Sequence, residues 1–339
     1  MKRTSITLPV YNTSMARLGE MARWAEEAGF AGVWPYEICR NPYLTLAAAA
    51  ATTSRIALGT AIALAFSRSP FVTANAAADV DELSNGRMIL GLGPGEGQHL
   101  TGLHNTDLAH AIPRMREYVD CVRLTWDSLA TGKLATYEGT FYRLRLDEGL
   151  RRPLARPRIP IYLAAMESKK MMELAGEIAD GLLAFFFSVR YLQEVGRPRL
   201  AAGARRAGRD PASVDLCSYI ICSVSKNRAE ALRRARIQVG FYAFLHSSDA
   251  IIRFHGLEQE QATVRAGLEK EGPGALERVT DDKLVETFSI AGTPDECRRQ
   301  FEAYRELVPL PLLHVPYFEP LSAAESEDAF RNVLETFGH

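Results

Sequence analysis

The sequence lacks the signatures of several common classes of protein. Its five cysteines are scattered and none lies in a C-x-x-C pair, so neither a disulfide framework nor a structural zinc site is expected. Its seven histidines form no H-x-H or H-E-x-x-H pattern, which argues against metal catalysis. The G-x-x-x-x-G-K-[ST] and G-x-S-x-G patterns are also missing. Nucleotide hydrolysis and serine-hydrolase chemistry are therefore not expected.

Neither charge nor hydropathy points to a nucleic acid or a membrane as a partner. The 339-residue chain intersperses 40 basic with 41 acidic residues, for a net charge of −1, so no face is predicted to follow a phosphate backbone. No apolar run approaches the ~20 residues that a spanning helix needs, and the first residues lack the apolar segment of a signal peptide. We therefore predict a cytoplasmic protein that binds a small molecule.

Short apolar runs alternate with helical patterns along the whole chain. Continuous apolar runs are typical of parallel strands that are covered on both faces. This alternation favours a single (β/α)8 TIM barrel over two domains. We expect two insertions in it, a small hairpin within about 130–158 and a polar, irregular segment at about 243–284. The predicted strands are Ser5–Val10, Gly32–Tyr36, Ile56–Leu64, Met88–Leu92, Ile161–Ala164, Gly181–Phe185, Val214–Val224 and Leu312–Val315.

The stretch 87–99, RMILGLGPGEGQH, is the strongest single candidate for a functional segment. Its alternating glycines, among them Gly93 and Gly95, leave the backbone bare, so that a flat or phosphorylated ligand can approach main-chain N–H groups. Glu96 lies inside this turn and is a candidate proton donor. The alternative is an ordinary strand-to-helix connection with Glu96 in solvent. His99 either completes a proton relay or caps the following helix.

Other candidates lie where predicted strands end, which is the edge of a barrel that binds ligands. Glu37 follows the second strand, and it either contacts a ligand or is a structural acid bonded to backbone N–H groups. Phe186 lies in an aromatic run after the sixth strand and belongs either to the pocket wall or to the core. The segment Ala164–Ser168 follows the fifth strand and shares the same rim.

Several stretches together resemble the luciferase-like flavin and deazaflavin oxidoreductases. They follow the family's order over nearly the full length: EEAGFAGVW (26–34), SRIALGTAIALAFSRSP (54–70), LSNGRMILGLGPGE (83–96), RMREYV (114–119), IPIYLAAMESKKMMELAGEIADG (159–181) and GTPDECRRQFEAYREL (292–307). The resemblance implies a (β/α)8 barrel and a homodimer. The branch that uses the deazaflavin coenzyme F420 is the most similar.

The resemblance also implies roles for individual residues. Glu96 corresponds to the glutamate that donates a proton near the ring in F420-dependent sugar-phosphate dehydrogenases, and Glu37 to the acid that ends their second strand. Those enzymes carry a histidine base next to that acid, whereas this chain has Ile38. Methylene-tetrahydropterin reductases carry a glutamate in their first strand, whereas here that strand reads SITLPVY.

The cofactor site that the resemblance implies is spread over several loops. A bulge with a cis bond between Ala61 and Ile62 would press against the ring. Main-chain amides after the fifth strand would hold the coenzyme phosphate, although AAMES departs there from the family's small-Gly-Pro pattern. The implied cofactor-binding residues are Glu37, Ala61, Ile62, Gly93, Gly95, Ala164, Ala165, Met166, Glu167, Ser168 and Phe186.

The resemblance thus predicts an F420-dependent oxidoreductase that passes a hydride between the deazaflavin C5 and a small-to-medium organic substrate. Glu96 and Glu37 would be its catalytic residues. Two alternatives use the same fold. One is an FMN-dependent two-component monooxygenase, and the other is a non-catalytic flavin-binding barrel.

Overall fold

Eight parallel strands close into a barrel within residues 4–338, the part of the chain that the structure, a computed structural model, describes. In the short helix that begins at Gly97, the side chains of Gln98 and His99 are outside the described part. The barrel strands are β1 (Ser5–Thr7), β2 (Gly32–Trp34), β3 (Ala57–Gly59), β4 (Met88–Gly93), β5 (Ile161–Ala165), β6 (Gly181–Phe185), β7 (Asp215–Val224) and β8 (Leu310–His314).

Each strand pairs in parallel with the next one along the chain, and β8 pairs back with β1. Ser5 shows the closure, because it is in register with Gly32 on one side and Leu312 on the other. The predicted (β/α)8 barrel is therefore confirmed. Large side chains such as Trp34 and Tyr162 fill the barrel interior, as expected for a packed core rather than a pore.

Helices follow the strands and cover the outside of the barrel. Their starts carry ordinary capping signals: Ser69 caps a helix whose first residue is Pro70, and Thr293 forms a capping box with Glu296. Besides short turns of helix such as Val189–Tyr191 and Leu276–Val279, the helices are α1 (Met15–Glu27), α2 (Pro42–Thr52), α3 (Pro70–Leu83), α4 (Gly97–His104), α5 (Ala111–Thr131), α6 (Lys169–Ile178), α7 (Arg197–Arg206), α8 (Arg228–Phe244), α9 (Asp249–His255), α10 (Glu258–Glu271), α11 (Asp282–Phe288), α12 (Pro294–Leu307) and α13 (Ala323–Phe337).

The third predicted strand, Ile56–Leu64, is interrupted in the structure. Strand β3 ends at Gly59, a cis peptide bond joins Ala61 to Ile62, and Ala63–Leu64 then pairs with the end of β4. The expected bulge with its cis bond is confirmed. The prediction of one continuous strand was wrong, because the apolar run continues through the bulge and hides it.

Of the two predicted insertions, one has the predicted structure and the other does not. Ala135–Glu138 and Arg143–Leu146 form the predicted hairpin within 130–158. The prediction that 243–284 is irregular was wrong, because α9, α10 and the first three residues of α11 lie there. These helices are held by contacts distant in sequence, such as the Gln261 amide donating to the Ala243 carbonyl at 2.8 Å.

One further strand, Ser289–Gly292, was missed by the prediction. It pairs in parallel with the last four residues of β7 and leads directly into α12. Over the described residues, 4–338, no helix is long and apolar enough to cross a membrane.

Candidate active site

A cavity of about 390 Å³ opens at the carboxyl ends of the barrel strands. A volume of this size lies in the range of small-molecule sites. The loops after β2, β3, β4, β5 and β6 contribute to its wall, as expected for a barrel of this kind. Most of the predicted site residues come together there: Glu37, Ala61, Ile62, Gly95, Glu96, Ala164, Ala165, Met166, Glu167 and Ser168.

The glycines of β4 are required by the bulge beside them. A Cβ on Gly91 would lie 1.8 Å from the Thr60 carbonyl oxygen, and one on Gly93 would lie 2.4 Å from Cδ1 of Ile62. Gly93 is not part of the cavity wall. Gly95 is part of it and has a φ of +86°, which favours glycine. The glycines of β4 thus allow the strand to pack closely against the bulge, whether or not they also let a ligand approach the backbone.

The Glu37 carboxylate is held by three hydrogen bonds from the protein. Both of its carboxylate oxygens accept hydrogen bonds from Arg68, and Oε2 also accepts one from the Leu64 N–H at 2.8 Å. The side chains are 6% and 18% exposed for Glu37 and Arg68. Burial lowers the pKa of Arg68, but the bonds and charge of Glu37 outweigh that effect and the pKa is raised overall. Glu37 therefore ties the second strand to the residue that follows the bulge.

Glu96 is placed differently from Glu37. It precedes α4 as the N-cap residue without using its side chain as a cap, and it is half-buried in the cavity wall. Among the side chains that the structure describes, none donates a hydrogen bond to its carboxylate. Leu100, Leu103 and Leu108 line the same part of the wall. The Glu96 carboxylate is therefore open to a ligand in the cavity. The His99 relay falls on a side chain outside the described part.

The loop after β5 leads into the N-terminus of α6. Ser168 caps this helix by accepting from the Met171 N–H. The side chain of Glu167 is turned to another element, because its Oε2 accepts from the Ala250 N–H in the first turn of α9 at 2.8 Å. This bond joins the coenzyme-phosphate loop that we predicted to the helical insertion.

The aromatic run after β6 divides between the cavity and the core. Phe185 lines the cavity, whereas the predicted residue Phe186 is absent from its wall. The Phe186 ring is buried and stacks on Phe288 with centroids 4.3 Å apart. Phe186 follows the last residue of β6 and has a φ of +60°, so the backbone turns there and the two adjacent rings point to different sides.

Sequence reasoning missed a buried cluster of phenols and one imidazole beneath the cavity. His314, at the end of β8, lies 3.0 Å from the Thr7 hydroxyl through Nδ1 and 2.9 Å from the Tyr242 hydroxyl through Nε2. The Tyr317 hydroxyl lies 3.4 Å from that of Tyr242, and the Tyr219 hydroxyl donates to the Ala61 carbonyl. The four members come from three distant segments, so no spacing in the sequence signals the cluster.

Burial fixes the protonation of this cluster. It lowers the pKa of His314 to about 3, so the imidazole is neutral. It also raises the pKa of the Tyr219, Tyr242 and Tyr317 phenols, which keeps them protonated at neutral pH. All three tyrosines line the cavity. The cavity floor therefore offers hydrogen-bond donors without carrying a positive charge.

Comparisons with known proteins identify the family. The profile described as "Luciferase-like monooxygenase" matches residues 3–309. The chain belongs to this luciferase-like family. It is 32% identical to a 5,10-methylenetetrahydromethanopterin reductase of Methanolobus tindarius, over 83% of this chain and 84% of the other. It is 33% identical to an uncharacterized protein of Mycobacterium tuberculosis, again over 83% of this chain and 84% of the other.

A solved structure shares the fold of this luciferase-like chain. The coenzyme F420-dependent tetrahydromethanopterin reductase of Methanopyrus kandleri superposes with a TM-score of 0.83 at 24% identity, covering 98% of both chains. At that identity the likeness concerns the fold.

The charged residues in the wall of the luciferase-like cavity are acidic. They are Glu37, Glu96 and Glu167, and over the described residues the wall also includes His104 but no lysine or arginine. Two of these carboxylates are already bonded, Glu37 to Arg68 and Glu167 to the first turn of α9. Glu96 is the one to whose carboxylate no described residue donates a hydrogen bond.

Proposed function

We propose that this protein is an F420-dependent oxidoreductase that passes a hydride between C5 of the deazaflavin and an organic substrate. The observation that carries the proposal is the Glu96 carboxylate, which lies without a described side-chain partner in the wall of a mainly apolar cavity at the strand ends. The relationship to a methylenetetrahydromethanopterin reductase supports the choice of coenzyme branch. We expect the enzyme to act in the cytoplasm.

The residues present fit this coenzyme. The apolar wall suits a flat ring, and the first N–H groups of α6 have no partner within their helix, so they favour a bound phosphate. Lys169 and Lys170 begin this helix and are exposed beside it. Glu167 keeps its negative charge, but its carboxylate is turned to α9, where it accepts from the Ala250 N–H. When bound, F420 supplies a donor or acceptor for a hydride.

Glu96 and Glu37 have different roles in the proposed reaction. Glu96 exchanges the proton that accompanies the hydride, because it is the wall carboxylate to which no described residue donates a hydrogen bond. Glu37 assists by position, because its three bonds to Arg68 and the Leu64 N–H fix the end of the bulge next to the cavity.

The Glu96→Gln variant tests this assignment. The amide keeps the shape of the side chain but cannot exchange the proton, so we expect unchanged F420 affinity and at least ~10²-fold lower turnover. Glu138→Gln on the exposed hairpin is the matched control, since its side chain is 70% exposed and is not part of the cavity wall. Turnover equal to that of the parent would remove Glu96 from the mechanism.

Two alternatives remain from the sequence. The family's description as luciferase-like monooxygenases favours an FMN-dependent monooxygenase as the second candidate. It requires tighter binding of FMN than of F420, together with oxygen consumption when a reductase supplies reduced FMN. A barrel without catalytic function would bind neither coenzyme productively.

We also propose a homodimer that buries the outer faces of α2 and α3. Leu44 on α2 is 61% exposed and Val72 on α3 is 51% exposed, and α2 is made almost entirely of apolar residues. Sedimentation of a variant carrying Leu44→Asp and Val72→Asp should show a monomer where the parent is a dimer. Leu150→Asp, at a leucine 45% exposed elsewhere, serves as the control. A monomeric parent would contradict the proposal.

A further inference from the structure

The wall of the cavity restricts which substrates it can hold. Its acidic members are three carboxylates, and the described part of the wall contains neither lysine nor arginine, with His104 as its one imidazole. Away from the N-terminus of α6, where the coenzyme phosphate would lie, a phosphate or carboxylate on the substrate would face these carboxylates without a permanently charged cation to pair with it, which is costly. The cavity therefore selects against anionic substrates.

The floor of the same cavity selects for an oxygen atom. Tyr242 and Tyr317 line it with hydroxyls 3.4 Å apart, and Tyr242 is held by His314 at 2.9 Å. His314 is in turn held by Thr7, whose Oγ1 also accepts from the Val315 N–H at 3.3 Å. A buried phenol is a good donor to a carbonyl or hydroxyl oxygen, and a buried imidazole that remains neutral adds no charge.

Size sets a third limit. The cavity measures about 390 Å³, near the lower end of the range for sites that hold drug-sized ligands. If it accommodates the ring of a coenzyme, the space for a second molecule is small. The remaining wall is apolar and aromatic, with residues such as Phe185, Phe241 and Ile112.

From these three features we propose that the substrate is a small, uncharged alcohol or ketone whose oxygen is bound by the Tyr242 and Tyr317 hydroxyls. This inference rests on the proposed function. Oxidation breaks the C–H bond of the carbinol carbon, which yields a hydride to the coenzyme, and the O–H bond, whose proton goes to Glu96. Reduction of the ketone returns both. A cationic substrate would instead pair with Glu96 and occupy the group that exchanges the proton.

The test compares two ketones with the same ring, uncharged 4-methylcyclohexanone and anionic 4-oxocyclohexanecarboxylate. Binding of each to the F420-loaded protein is measured by saturation-transfer NMR, and oxidation of reduced F420 is followed by absorbance. We expect the neutral ketone to bind at least ~10-fold more tightly, because it lacks the carboxylate that the acidic wall repels, and we expect only this ketone to oxidise the coenzyme. Tyr242→Phe should weaken its binding without changing F420 affinity.

A charge placed in the wall provides the matched variant. Leu108 lines the cavity, so Leu108→Lys should narrow or reverse the preference for the neutral ketone. Leu134→Lys, at a leucine 54% exposed outside the cavity wall, should leave the preference unchanged.

The possible results distinguish a wrong substrate assignment from a wrong proposed function. Equal or tighter binding of the anionic ketone, binding of neither ketone, or binding of the neutral ketone without oxidation of the coenzyme would each overturn the substrate assignment. Failure of the protein to bind F420 at all would overturn the proposed function, and the substrate assignment with it.

Discussion

Removing Arg68 should destabilise the protein far more than removing a surface arginine. The Arg68→Met variant leaves the Glu37 carboxylate, 6% exposed, with a single described donor, the Leu64 N–H. Stranding one member of a buried ion pair costs about 3–5 kcal/mol. Glu37→Gln costs less, because the amide oxygen still accepts from Leu64 and the charge left unpaired is that of Arg68, whose side chain is 18% exposed against 6% for Glu37.

A double-mutant cycle isolates the contribution of the pair. The variant with both Arg68→Met and Glu37→Gln contains no stranded charge, so it should be more stable than Arg68→Met alone. We expect a coupling free energy in the upper part of the 0.5–3 kcal/mol range for interacting residues. Urea unfolding at 25 °C supplies the four free energies, and coincidence of fluorescence and circular dichroism checks that the transitions are two-state. Additive effects of the two substitutions would refute the argument.

The remaining predictions concern the strand beside the bulge and the buried histidine. Gly91→Ala should lower the free energy of unfolding by at least about 1–3 kcal/mol, because its Cβ would lie 1.8 Å from the Thr60 carbonyl oxygen; Gly102→Ala, with no atom within 4 Å, should not destabilise. His314 has a folded-state pKa of about 3 below its unfolded value, so the unfolded state binds more protons between these values. Stability should therefore be complete above pH ~6.5 and fall towards pH 3 with a slope of up to about 1.4 kcal/mol per unit from this group. His314→Gln should remove that part of the slope, which urea unfolding at several pH values measures, and an unchanged slope would contradict the burial argument.

The barrel could be predicted because its signals are local. Buried parallel strands read as continuous apolar runs, and caps such as Ser69 before Pro70 mark where helices begin. The rule that ligands bind at the strand ends then selected residues far apart in the sequence, and most of them, including Glu96 and Met166, line the cavity.

The parts that escaped prediction depend on contacts between distant segments. Nothing near Glu37 in the sequence shows that its carboxylate forms an ion pair with Arg68, 31 residues later. The helices of 243–284 are held by bonds such as that between Glu167 and Ala250, 83 residues apart. The amino-acid composition of this segment is typical of a polar loop. The choice of Phe186 instead of Phe185 depended on strand register, which a run of three phenylalanines does not reveal.

The central claim is that this luciferase-like barrel uses the deazaflavin coenzyme, and equilibrium binding tests it most directly. The purified protein is titrated separately with F420 and with FMN, and each is followed by its own fluorescence. The account predicts that F420 binds at least ~10-fold more tightly, a difference of about 1.4 kcal/mol. Tighter binding of FMN would contradict the account and place the monooxygenase first, and binding of neither would favour a barrel without this chemistry.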